Sequence, residues 1–217
     1  MRWILNRWCK VILAFAVTLF TCSILAQTTV ISTISGDGGF DLFGNQVNMA
    51  AWSQTNLFSN VSVSAELDGV GSTINGTAYL MTQVGPGTTT ASQIASSDFT
   101  VSTLPLEPDL TTLFTGLTLG PGTYYLVITA SGGGWEISDP SATPVTAPGV
   151  MLVDGNYTTY PSNIDQPYPP DDTFMAAPES NNLEFIVATP EPAVSSLLGL
   201  GLISFAMICR KARQRAA

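Results

Sequence analysis

Thr123-Tyr124-Tyr125-Leu126-Val127-Ile128-Thr129 is the stretch on which the fold of this chain turns. Aromatic and β-branched side chains fill it, the types that suit a pleated, laterally packed backbone. Gly120-Pro121-Gly122 opens it, and Thr111 to Leu119 reads as another strand just upstream. Working outward, Val61-Ser62-Val63-Ser64-Ala65-Glu66-Leu67 alternates apolar and polar, the period of a strand with one covered face. Asn75-Gly76 predicts a turn before a strand from Thr77 to Val84, which Gly85-Pro86-Gly87 ends. Leu183-Glu184-Phe185-Ile186-Val187 predicts a final strand. Others are expected over 28–34, 46–53, 99–103, 134–138 and 150–153. The last of these pairs with Tyr157–Tyr160 in a hairpin turning at Asp154-Gly155-Asn156. Residues 88–96 leave room for one short helix, which the Thr run limits. Eight prolines from Pro140 to Pro178 exclude helix and central strand, so 139–148 and 160–180 read as long surface loops. About ten short strands with turns between them predict an all-β domain, an antiparallel, jelly-roll-like sandwich over 27–187.

The charges are as selective as the turns. All seven basic residues (Arg2, Arg7, Lys10, Arg210, Lys211, Arg213 and Arg215) lie near the ends, as do Cys9, Cys22 and Cys209, and there is no His. The stretch 27–188 therefore holds no Lys, Arg, His or Cys, yet it carries fifteen of the sixteen acids. That excludes a Ser–His–Asp triad, a thiolate nucleophile and a Schiff base. It excludes zinc or copper held by imidazole or thiolate. A body this acidic repels phosphate backbones, so nucleic acid is not a partner. Carboxylates, hydroxyls, amides and oxygen-bound cations remain. A body of about 160 residues is long enough to bury a core without disulfides.

The ends read as addresses. Arg2, Arg7 and Lys10 precede an uncharged run from Val11 to Phe20, and Ala26 then Gln27 form a cleavage site. Residues 1–26 thus predict a signal peptide for the Sec export machinery; the alternative is an uncleaved anchor. At the other end, Pro190-Glu191-Pro192 interrupts any regular element. Seventeen uncharged residues, 193–209, follow; as a helix they would span about 25 Å, the short end of a membrane crossing. Arg210, Lys211, Arg213 and Arg215 then hold the near side in the cytoplasm.

In that order and spacing, residues 188–217 resemble the PEP-CTERM sorting domain of Gram-negative bacteria. The motif Pro190-Glu191-Pro192, the core Leu197-Leu198-Gly199-Leu200-Gly201-Leu202 and the basic cluster carry the likeness. The resemblance implies recognition by an exosortase, an integral-membrane cysteine protease-like enzyme. It further implies a transient inner-membrane anchor through 193–209, processing near the motif, and delivery to the cell surface or an exopolysaccharide matrix. Leu119 to Leu126 also resembles a Leu-x-x-Gly-Thr-Tyr-x-Leu strand of secreted sandwiches that bear this tail.

Within the body, calcium could be held by acids in glycine-rich or paired settings: Asp37, Asp41, Asp154, Asp171 and Asp172. The alternative is that Asp-Gly marks turns, and no other cofactor is expected. Trp52 and Trp135 could stack on sugars or fill the core. Glu66, Glu136, Glu179 and Glu184 could serve a carboxylate-based glycoside hydrolase, but no spacing pairs them. These readings lead to a non-enzymatic, exported surface or matrix protein with a structural or adhesive role in an exopolysaccharide or biofilm layer. The alternative is a carbohydrate- or calcium-binding module whose partner is extracellular polysaccharide.

Overall fold

The structure is a computed structural model that describes residues 27–35, 39–43, 47–69, 71–102, 109–139, 142–159, 168–176 and 181–190, with only the backbone of 40–42 and 154–159. The expected signal peptide, the sorting motif beyond Pro190, the 193–209 span and the basic cluster lie outside the described residues. Among the described residues, no helix is long and apolar enough to cross a membrane.

The chain forms β1 (Gln27–Ser32), β2 (Phe40–Leu42), β3 (Asn48–Gln54), β4 (Phe58–Asp68), β5 (Ile74–Met81), β6 (Gln93–Val101) and β7 (Asp109–Leu119). There follow β8 (Gly122–Ala130), β9 (Gly134–Glu136), β10 (Val145–Thr146), β11 (Val150–Thr159), β12 (Phe174–Ala176) and β13 (Phe185–Pro190). One sheet runs β10-β1-β13-β4-β9-β2, with β7 added beside β4; the other runs β12-β11-β3-β8-β5-β6. Every described strand pairing is antiparallel.

The two sheets share one core. Trp52, Leu80, Phe99, Leu126 and Ile128 from one meet Val63, Leu67, Phe114, Trp135 and Phe185 from the other. The strict alternation of β4 turns Val61, Val63, Ala65 and Leu67 inward. β8 shows no alternation because both its faces are covered. Tyr124, Leu126 and Ile128 enter the shared core, while Val127 joins a second cluster on the opposite face with Met49, Met81, Tyr125, Tyr168 and Phe174. A strand buried on both sides needs apolar residues throughout, which is why 123–129 is so apolar.

Four local expectations are corrected. Val150–Thr159 is one strand, not a hairpin: Asp154-Gly155-Asn156 falls where the register against β3 shifts, between Leu152 opposite Trp52 and Tyr157 opposite Met49. The Asp-Gly-Asn signal therefore marks a bulge, which admits extra residues without reversing the chain. Residues 88–96 hold only a 3-10 turn, Thr90–Ser92, before β6 begins. The expected loops also contain short elements, β10 within 139–148 and the 3-10 turn Pro169–Asp171 and β12 within 160–180.

The fourth correction concerns Asn75-Gly76, which lies inside β5 rather than at a turn. Gly76 pairs with Phe99 of β6, and a Cβ on it would collide with the Phe99 ring and the Thr129 carbonyl. Glycine is there because the ring occupies the place of its side chain. Gly76→Ala is expected to cost about 2–3 kcal/mol in urea denaturation, as overpacking against backbone does. Gly120→Ala, which meets nothing within 4 Å, is expected to stay within about 0.5 kcal/mol of the parent.

Candidate functional site

The pleat brings together three carboxylates that the sequence keeps far apart. Ala65 and Leu67 point into the core, so Glu66 between them points out of the sheet; Trp135 points in and Glu136 out. Glu184 stands where the chain enters β13. Its backbone N–H donates to the Glu136 carbonyl at 2.7 Å, and its carbonyl accepts from Glu66 N at 3.1 Å and from Trp135 Nε1 at 2.8 Å. These bonds gather Glu66, Glu136 and Glu184 at one junction of β4, β9 and β13. The Glu184 side chain is buried, and its Oε1 accepts from the N–H and hydroxyl of Ser35 at 2.7 and 3.0 Å.

The electrostatics follow from this crowding. Burial, then the hydrogen bond and negative charge of Glu184, then Glu136, push the Glu66 carboxyl up to about 8. Burial, Asp68 and Glu184 push Glu136 up to about 7. Below about 8 the Glu66 and Glu184 carboxyls share a proton, since two carboxylates cannot hydrogen-bond without one. Hydrogen-bonded contact is closer than the roughly 5–9 Å that glycoside hydrolysis needs between its two carboxyl groups. Glu179, the fourth acid considered for that chemistry, lies outside the described residues.

Both tryptophans are core residues, which overturns the stacking expectation. Trp52 and Trp135 are each 0 % exposed, so neither offers a face to a sugar. Trp52 lies at a ring distance of 5.6 Å from both Tyr124 and Phe185. Of the acids considered for calcium, Asp37 lies outside the described residues, as do the side chains of Asp41 and Asp154. Asp171 accepts from the N–H of Gly87 and Asp172 from that of Thr173. Both carboxylates thus serve turn N–H groups, the ordinary work of aspartate in loops. Among the described residues no three acids, cysteines or histidines are grouped so as to hold a metal ion.

A second feature lies on the six-stranded sheet. Asn75, Gly76 and Thr77 of β5 and Asp98, Phe99 and Thr100 of β6 line a groove of about 430 Å³. The register sets Thr77 opposite Asp98 and Asn75 opposite Thr100. Thr77 Oγ1 donates to Asp98 Oδ1 and Thr100 Oγ1 to Asn75 Oδ1, each at 2.8 Å. Tyr79, two residues along the same face, shares a hydrogen bond with Thr77 and is raised by burial and then by Asp98. Its ring meets Tyr168 edge-on at 5.8 Å. Sequence reasoning missed this groove; its signal was two polar-x-polar steps, Asn75-x-Thr77 and Asp98-x-Thr100.

No family model matches the chain. No curated protein matches it either. Fold and site together define an all-β protein of two antiparallel sheets with an acidic, cation-free body.

Proposed function

We propose that this chain is an exported, non-enzymatic protein that an exosortase sorts through its PEP-CTERM-like tail to the cell surface or an exopolysaccharide layer, where it has a structural or adhesive role. The single observation that carries this is the order of parts in 190–215: Pro-Glu-Pro, an uncharged stretch, then the basic cluster. The body supports it in two ways. β13 ends on Pro190, the first residue of the motif, so the compact unit Thr29–Thr189 closes where the motif begins. The paired contact of Glu66 with Glu184 is spent on the fold rather than held open for a substrate. We also read the sandwich as jelly-roll-like, because the chain passes from one sheet to the other at β2–β3, β3–β4, β4–β5, β6–β7, β7–β8, β8–β9, β10–β11 and β12–β13.

Mass spectrometry of the protein from culture medium and from membranes tests the sorting. The expected form starts at Gln27 and ends near Pro190–Pro192. Glu191→Ala is expected to leave the protein in the membrane fraction with its tail intact. Recovery of the whole chain, uncut at both ends, from the cytoplasm would overturn the proposal.

A further inference from the structure

We propose that the groove on the outer face of β5 and β6 binds a neutral, polyhydroxylated ligand, a sugar unit of a glycan chain. This goes beyond the sorting reading and stands on the groove alone, whether or not the tail is processed.

Its size falls in the range of small-ligand sites. Its chemistry is more telling. Each threonine hydroxyl has one proton, and the two threonines spend theirs on Asp98 and Asn75. What is left facing outward is an amide donor at Asn75 and carboxylate acceptor capacity at Asp98. A sugar presents adjacent hydroxyls that each donate and accept, so one ring can satisfy both groups at once. The two cross-strand bonds also hold Asn75 and Asp98 in place before the ligand arrives, which lowers the ordering cost of binding. Tyr79 adds an aromatic flank next to Thr77, fixed by its contact with Tyr168; sugars have apolar faces that suit such a ring.

The ligand is neutral because Asp98 sits in the groove and the body around it has no Lys, Arg or His to offset an anion. A uronate or phosphate group would meet repulsion that nothing nearby cancels. Since the tryptophans are buried, this groove takes the place that they were expected to fill.

The test uses the purified full chain in a detergent without sugar headgroups. The probes are neutral glucan, mannan and galactan oligosaccharides, with oligogalacturonate as the anionic arm, followed by calorimetry or saturation-transfer NMR. At least one neutral oligosaccharide is expected to bind at micromolar to millimolar concentration. Asp98→Ala and Asn75→Ala are each expected to weaken it about tenfold or more with unchanged melting temperature, and Thr118→Ala on β7 to leave it unaltered. The proposal is overturned if no neutral probe binds at several millimolar, if binding survives both groove substitutions, or if oligogalacturonate binds better than every neutral probe.

Discussion

Trp52→Ala is expected to destabilise the protein by about 3–5 kcal/mol, the range for removing a large aromatic side chain from a packed core. The reason is position as much as size. Trp52 sits on β3 of one sheet and lies 5.6 Å, ring to ring, from Phe185 on β13 of the other and from Tyr124 on the neighbouring β8. Its ring therefore fills the space between the sheets near the last strand. Its Nε1 also donates to Gln54 Oε1 at 3.2 Å, while Gln54 Nε2 donates to the carbonyls of Leu119 and Gly120 at 2.9 and 3.0 Å. Truncation leaves a cavity and deprives the buried Gln54 oxygen of its donor, and these losses add. For a domain of this size the loss corresponds to a fall of about 8–15 °C in melting temperature. Trp52→Phe, which keeps an aromatic ring, is expected to lose less than half as much. A Trp52→Ala protein melting within about 3 °C of the parent would show that the sheets do not pack through this residue.

How much of this could be read beforehand divides along a physical line. β4 was legible because alternation reports a strand with one covered face, and β8 because aromatic and β-branched residues fill it; that both faces of β8 are covered came only with the structure. The turn at Gly120-Pro121-Gly122 was legible because proline and glycine restrict the local backbone. Asp154-Gly155-Asn156 and Asn75-Gly76 misled for the opposite reason. Such residues are permissive, and a bulge or an aromatic ring laid over a glycine uses the same permission as a turn. The tryptophans were undecidable because core and stacking site ask for the same ring. The meeting of Glu66, Glu136 and Glu184 was invisible, since it depends on the register of three strands that no local pattern records. What the composition did announce is that the stretch 27–188 itself supplies no lysine, arginine or histidine to set beside them.

That last fact makes the protein's stability depend on protons. We expect the melting temperature to rise as the buffer is taken from pH 9 down to pH 6. An unfolded glutamate gives up its proton near 4.5, whereas folded Glu66 keeps it up to about 8 and Glu136 up to about 7. Between those limits the folded chain binds more protons than the unfolded one, so stability falls as pH rises. The contribution is fully present below pH 4.5 and is lost as pH climbs through 7 and then 8. Both groups are partly exposed, so water screens the repulsion and the full linkage is not realised. After that discount about 1–2 kcal/mol remains, or roughly 3–6 °C. Glu66→Gln supplies an N–H to Glu184 at every pH. It is expected to melt above the parent at pH 9 and to lose at least half of the pH slope. Salt should flatten the parent's slope as well, by screening Glu66, Asp68, Glu136 and Glu184 from one another. A parent melting temperature that holds level or climbs from pH 6 to 9 would mean that these carboxylates are not held as close as the junction places them. In most proteins an arginine or lysine beside such a group would relieve the charge. Here the stretch 27–188 offers no such side chain, and a proton relieves the charge where β13 begins, the strand that ends on Pro190.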